Sequence, residues 1–313
     1  MRIVTAEAVA AATPWPALID ALAAAFADPA SVTAPPRAHH TVQAQGDPDR
    51  TLLIMPAWDA RGATVVKLVS VVPGNGARGL PAIQGQVLVS DAETGAWTAL
   101  IDGGALTERR TAAASALAAR HLARADARTL FMVGTGRLSR ALIAAHASVR
   151  PIARVLVWGR SPDKAEAVAA WARAQGLDAA TATLEHGAQA ADVVSCATLS
   201  TAPLIRGAWL RPGVHLDLVG AFRPAMRETD AGAVARAAVF VDTYAGARGE
   251  AGDLLLAAAD GAFTLDAIRA DLHALCAGAH PGRESAGQIT LFKSVGASLE
   301  DFVAATMVAR AAP

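Results

Sequence analysis

Two kinds of hydrophobic patterning divide this chain. In its first third, short apolar runs of strand length follow one another at residues 51–55, 64–72, 83–90 and 97–101. Turn formers separate them, notably Pro73-Gly74-Asn75-Gly76 and Asp91-Ala92-Glu93-Thr94-Gly95, which predicts a largely antiparallel sheet. Residues 106–122 form an alanine-rich stretch that predicts a helix. From Arg128 onward the pattern becomes an alternation: buried parallel strands at 129–133, 155–158, 192–197, 214–219 and 238–242, with helical stretches such as 162–175 between them. A last strand at 288–292 and a helix at 295–311 close the chain. The expected fold class is α/β: a Rossmann, doubly wound domain over residues 118–287, and an α+β domain built from residues 1–117 with 288–313.

The alanine-rich N-terminus is broken by Glu7, Pro14, Pro16 and Asp20, while Trp15, Leu18, Ile19, Leu22 and Phe26 recur at helical spacing. That spacing predicts an amphipathic helix rather than a signal peptide. No apolar run approaches the roughly 18–20 residues of a membrane span. The expectation is therefore a cytoplasmic protein with no membrane partner. Lys+Arg and Asp+Glu balance at 28 each over 313 residues, and no basic stripe points to nucleic acid. Cys196 and Cys276 lie far apart and lack metal-ligand spacing, so both read as small buried apolar residues and no metal is expected.

Candidate chemistry starts at residues 129–139. The strand 129–133 runs into Gly134-Thr135-Gly136-Arg137-Leu138-Ser139 and then a helix, the arrangement that cradles a dinucleotide pyrophosphate. Gly134 permits the turn, Gly136 lets the backbone approach the phosphates, and Ser139 is small enough for close helix–strand packing. The next strand ends in Gly159-Arg160-Ser161, where an NAD enzyme usually carries an acid for the ribose 2′-hydroxyl. An arginine in its place suits the 2′-phosphate of NADPH, leaving NADH as the less favoured cofactor.

The first third also supplies cations at element edges: Arg37 after Pro35-Pro36, Lys67 inside an apolar strand, and Arg110. A lysine there either points outward on a half-exposed strand or is buried against an anion. Buried, it would join the two arginines in a carboxylate clamp. The other polar residues read as structural or open: His215 and Asp217 as hydrogen-bonding groups of a buried strand, His39 and His40 as pocket lining or a surface pair, Glu228 as a partner for Arg227.

Five segments carry a resemblance: KLVSVVPGN at 67–75, LTERRTAAAS at 106–115, the glycine turn at 134–139, VGAFRPAMRETD at 219–230 and ITLFKSVGASLED at 289–301. In this order, over nearly the whole chain, they resemble the ornithine cyclodeaminase/mu-crystallin family. The resemblance implies a homodimer whose first domain, completed by the C-terminal segment, binds substrate and forms the subunit interface. It also implies that Arg37, Lys67 and Arg110 bind the substrate carboxylate, that Gln84 lines the pocket, and that Thr198 and Ser294 approach the cofactor. Cyclodeaminases carry an aspartate two residues after the glycine at 220, to handle the substrate amine; here it is Phe222. The segment is instead similar to that of members that reduce cyclic imino acids, Δ1-pyrroline-2-carboxylate and Δ1-piperideine-2-carboxylate. This similarity implies an NADPH-dependent reduction giving L-proline or L-pipecolate, with Lys67 donating a proton or positioning a water. The expected site has three converging cations and no acid opposite them. Rivals are an alanine-type dehydrogenase, an ornithine cyclodeaminase, and a mu-crystallin-like protein that binds NADPH without turnover.

Overall fold

In the computed structural model, which describes residues 1–44 and 48–311, the chain divides into two units. One is residues 1–110 with the C-terminal segment from Ala297, and the other is residues 111–296.

The first unit is built on a seven-stranded sheet: β1 (Arg2–Val4), β2 (Val32–Thr33), β3 (Ala38–Val42), β4 (Arg50–Asp59), β5 (Thr64–Val71), β6 (Ile83–Ser90) and β7 (Trp97–Asp102). Its order is β1-β7-β6-β5-β4-β2 with β3 also on β4, and every pair is antiparallel except β1–β7. Strand β4 outruns the apolar stretch that predicts it because Pro56 is tolerated. That proline stands where β4 changes partner from β3 to β2, so its missing N–H interrupts no continuous ladder. Burial alternates along β5: Val65, Lys67, Val69 and Val71 are buried, whereas Val66 and Leu68 on the other face are half-exposed. Helix α1 (Ala6–Ala12) is capped by Thr5, and α2 (Trp15–Ala27) buries Leu18, Ile19, Leu22 and Phe26, the stripe its spacing predicts. The terminal helix Ser298–Ala311 packs on α2, β4, β5 and β6, so the core lies on the inner face of the sheet. No single helix among the described residues is long and apolar enough to cross a membrane.

Helix α3 (Gly103–Leu122) starts three residues before its predicted start, because Asp102 at the end of β7 accepts from the Ala105 N–H at 2.8 Å. The second unit holds eight parallel strands: β8 (Thr129–Val133), β9 (Arg154–Trp158), β10 (Asp178–Thr181), β11 (Val193–Cys196), β12 (His215–Leu218), β13 (Ala238–Val241), β14 (Ala270–Asp271) and β15 (Thr290–Lys293). Their order, β10-β9-β8-β11-β12-β15-β13-β14, reverses direction at β8, as a doubly wound Rossmann sheet does. Helices α4 (Leu138–Val149), α5 (Pro162–Ala174), α6 (Leu184–Ala190), α7 (Ala231–Arg236), α8 (Tyr244–Glu250), α9 (Gly252–Ala259) and α10 (Leu272–Cys276) connect them.

One expectation is corrected by this topology. The last strand does not return to the first domain; β15 inserts between β12 and β13. Leu291 and Phe292 are fully buried, a burial on both faces that the interior of a parallel sheet supplies. Only the helix after it belongs with residues 1–110. His215 and Asp217 form a buried structural network. Asp217 accepts from Ser195 Oγ at 2.6 Å and lies 3.1 Å from His146 Nε2, while His215 Nδ1 sits 3.0 Å from Thr290 Oγ1. Burial pushes the His215 pKa down to about 3, so the ring is neutral.

Candidate functional site

The glycine turn after β8 has the shape of a phosphate cradle. Gly134 has φ +119°, and a Cβ added to it would lie 2.6 Å from the Ala197 carbonyl oxygen. A Cβ on Gly136 would meet nothing within 4 Å, so that stretch of backbone faces open space that a ligand can occupy. The buried Ser139 hydroxyl donates to the Gly136 carbonyl at 2.8 Å and locks the turn onto the first turn of α4. Arg137 and Leu138 begin α4, whose N-terminus has no side-chain cap; its N–H groups and dipole suit an anion. A side chain at Gly159, at the tip of β9, would strike the Thr135 methyl group at 2.5 Å. Arg160 beside it is exposed, and Ser161 caps α5 by accepting from the Lys164 N–H at 3.4 Å. These residues fit a nicotinamide dinucleotide.

Beyond β11, β12 and β15 lies a second set of loops. The Thr198 N–H and hydroxyl both donate to Glu228 Oε1, at 2.6 and 2.7 Å, and the Gly220 N–H donates to Oε2 at 2.7 Å. Glu228 thus turns inward rather than pairing with Arg227, whose guanidinium reaches Asp260 at 3.1 Å. Ser294 is buried at the end of β15 and donates its N–H to the Leu218 carbonyl at 3.2 Å. Asp242 holds the following turn by accepting from the N–H groups of Val295 and Gly296 at 2.7 and 2.6 Å. Phe222 is half-buried against the apolar core of this unit.

The first unit carries the charged cluster. Lys67 points inward: it is 1 % exposed and pairs across the sheet with Met55 and Val87. Its Nζ lies 2.8 Å from Asp301 Oδ1 and 2.7 Å from Oδ2. Arg110 Nε donates to the same Oδ1 at 3.0 Å, and its Nη1 donates to Glu300 at 2.7 Å. Arg37 is close enough to depress the Lys67 pKa electrostatically. Burial does so most, Arg110 next, and Asp301 opposes both, which together bring the Lys67 pKa down to about 8. The expectation of no acid opposite the cations is therefore corrected: Asp301 and Glu300 pair with them, because a bare cation cluster could not be buried. Lys67 and Arg110 are thus buried against Asp301 and Glu300, with Arg37 near enough to act on Lys67.

Gln84 does not join this cluster. Lys67 pairs with Val87 and Ser70 with Gln84, so Gln84 stands on the opposite face of the sheet and is exposed. His39 and His40 are likewise exposed, on β3. Sequence reasoning overlooked Asp301 and Glu300, and it assigned Glu228 to Arg227. The adjacent acids at 300–301 in the first turn of an otherwise apolar helix were the available signal for the first two.

The model of the ornithine cyclodeaminase/mu-crystallin family matches residues 1–312. The Δ1-pyrroline-2-carboxylate reductase of Paracoccus denitrificans is 40 % identical over 272 residues, 85 % of this chain and 84 % of that protein. Among solved structures, Δ1-pyrroline-2-carboxylate reductase of Thermococcus litoralis, in complex with NADH and L-proline, superimposes with a TM-score of 0.93 at 29 % identity, covering 99 % of this chain and 97 % of that one. An archaeal alanine dehydrogenase dimer with bound NAD gives 0.91 at 26 % identity, covering 99 % and 95 %.

Proposed function

Since this chain belongs to the ornithine cyclodeaminase/mu-crystallin family, we propose that it is an NADPH-dependent reductase of cyclic imino acids, converting Δ1-pyrroline-2-carboxylate to L-proline and Δ1-piperideine-2-carboxylate to L-pipecolate. The observation that carries this reading is the cation cluster, Lys67 and Arg110 buried against Asp301 and Glu300 with Arg37 near enough to act on Lys67. Two relatives named for this reductase activity support it, one of them solved with NADH and L-proline.

Residues of the second unit hold the cofactor in this proposal. The turn from Gly134 to Ser139 takes the pyrophosphate, Arg160 and Ser161 take the 2′-phosphate, and Thr198 and Ser294 border the nicotinamide. When bound, the cofactor supplies a hydride to the carbon of the C=N bond. Arg110 and Arg37 hold the carboxylate, and the planar guanidinium fork fixes its orientation. Lys67 holds the proton: with a pKa of about 8 it is charged at neutral pH, and it is acidic enough to hand a proton to the imine nitrogen or to a water beside it. Desolvation at this buried position strengthens each of these interactions.

Phe222 favours this reading over a cyclodeaminase, because a phenyl ring cannot accept a proton from a substrate amine. An alanine-type dehydrogenase is supported by one structural neighbour and differs in needing a 2-oxo acid with ammonium. The deciding experiment measures NADPH oxidation by the purified protein on five- and six-membered cyclic imino acids, on pyruvate with ammonium, and on each again with NADH. Oxidation with the cyclic imines alone supports the proposal. Turnover that requires ammonium, or proline formed from ornithine without net NADPH loss, overturns it.

The protein works as a homodimer in this proposal. The outer face of the first unit's sheet carries Ile3, Leu100, Leu88, Val66, Leu68 and Ile54 in cross-strand register. A sheet face this apolar suits a second copy, and the archaeal neighbour is a dimer. Gln84 lies on this face, where it suits the subunit interface.

A further inference from the structure

Glu228 is a fully buried carboxylate for which the imine chemistry has no use. It gathers three donors, two from Thr198 and one from Gly220, while its own N–H donates to Asp253 at 2.6 Å. Thr198 follows β11 and Gly220 follows β12, so one side chain ties together the loops at the carboxyl ends of adjacent parallel strands. The fit is tight: a Cβ on Gly220 would come within 2.0 Å of the Thr198 carbonyl oxygen and 2.5 Å of Glu228 Oε1.

The sheet order says which half of a dinucleotide these loops meet. Ligands of doubly wound sheets lie beyond the carboxyl ends of the strands, at the point where strand order reverses. Here that point lies between β8 and β11. Strand β9, tipped by Arg160, is on the adenosine side, so β11 and β12 are on the nicotinamide side. The Thr198 loop also borders the phosphate turn: a Cβ on Gly134 would sit 3.2 Å from Thr198 Cγ2.

We infer that Glu228, as an anion, is a positioning residue that sets the Thr198 and Gly220 loops for the nicotinamide half of the cofactor, and that its protonation loosens the Gly220 loop. Oε1 already accepts two hydrogen bonds, so an added proton goes to Oε2. There the Gly220 N–H meets the oxygen of a neutral acid instead of a carboxylate, and a charge-assisted hydrogen bond becomes a weaker neutral one. Burial, reinforced by Asp253 on α9 and opposed by Lys293 on β15, raises the Glu228 pKa to about 7. Lys293 donates to the Leu218 carbonyl at 3.0 Å and lies 3.6 Å from Asp253, so it links the end of β12 to α9. The remaining titratable neighbour, Cys196 on β11, stays a thiol because burial and Glu228 itself push its pKa up.

This inference rests on the nicotinamide-dinucleotide part of the proposed function and on nothing about the substrate. The test is equilibrium binding without turnover. NADPH is titrated by its fluorescence from pH 6 to 8.5, and adenosine 2′,5′-bisphosphate is titrated by calorimetry over the same range. The bisphosphate carries the same titrating 2′-phosphate and lacks the nicotinamide. NADPH binding is expected to weaken about tenfold between pH 8 and pH 6 beyond any change in the bisphosphate, the weakening of one charge-assisted hydrogen bond. Glu228→Gln removes this excess and leaves bisphosphate binding unaltered. Thr198→Val, which deletes one donor to the anion and leaves Glu228 in place, moves the midpoint to higher pH. Wild-type curves for the two ligands that run parallel at every pH overturn the inference without recourse to any variant. Failure of both ligands to bind instead overturns the dinucleotide reading itself.

Discussion

Single side chains divide the chemistry between charge and proton. Lys67 has little freedom: it is buried between Met55 and Val87 with its amine on Asp301. Lys67→Met keeps the length of the side chain and deletes the charge, so kcat/KM falls by about 100-fold or more while NADPH affinity measured by titration is unchanged. Near-normal turnover in this variant would remove Lys67 from the mechanism. The sign of the pH dependence is set by its pKa, lowered to about 8. The charged form is present below that pH, so kcat/KM declines as pH rises through about 8. Asp301→Asn removes the one group that opposes burial and Arg110, and moves that decline to lower pH. At the far end of the cofactor site, Arg160→Glu places a negative charge where a 2′-phosphate would sit. The ratio of kcat/KM with NADPH to that with NADH then falls at least tenfold, read from parallel initial-rate series.

Elements place these side chains. Strand β5 delivers Lys67 to the inner face because side chains alternate with period two, and its neighbours Val65 and Val69 are buried on the same face. The terminal helix brings Asp301 and Glu300 to it from the other end of the chain, 234 residues away in the case of Asp301. The strand–turn–helix around Gly134 is specified locally. Its φ of +119° disfavours any L side chain, and the Ala197 carbonyl leaves no room for one. Gly134→Ala is therefore expected to lower the melting temperature by several degrees and to abolish NADPH binding, both read in one thermal-shift titration. Retention of NADPH binding with wild-type affinity would show that the turn does not form the cradle.

For the molecule as a whole, the outward face of the seven-stranded sheet is the feature that one chain leaves open. Ile3 is 76 % exposed, and Leu88 and Leu100 beside it are half-exposed, although each belongs to a regular, paired strand. Leu88→Arg puts a charge at the middle of this face and disturbs none of the buried positions on the other side. Light scattering on a sizing column is expected to show the wild-type protein at twice the chain mass and the variant as a monomer. A wild-type monomer would refute the dimer proposal. The same alternation explains where sequence reasoning misplaced Gln84. Two apolar faces on one strand give no sign of which is inward, and register with Lys67 decides it.

The amino-acid order by itself determined what depends on near neighbours: the glycine turn, the alternating strands and helices of residues 128–287, the stripe of α2, and the absence of an acid at the tip of β9. Such features are fixed by backbone geometry and local periodicity, so they can be read in a short window. Tertiary structure alone decided that β15 lies inside the parallel sheet, that Asp301 and Glu300 neutralise the cations, and that Glu228 turns inward to join two loops. The reason is electrostatic. A buried charge is stable only against a partner, and that partner is chosen by proximity in space, across sequence separations that no periodicity encodes.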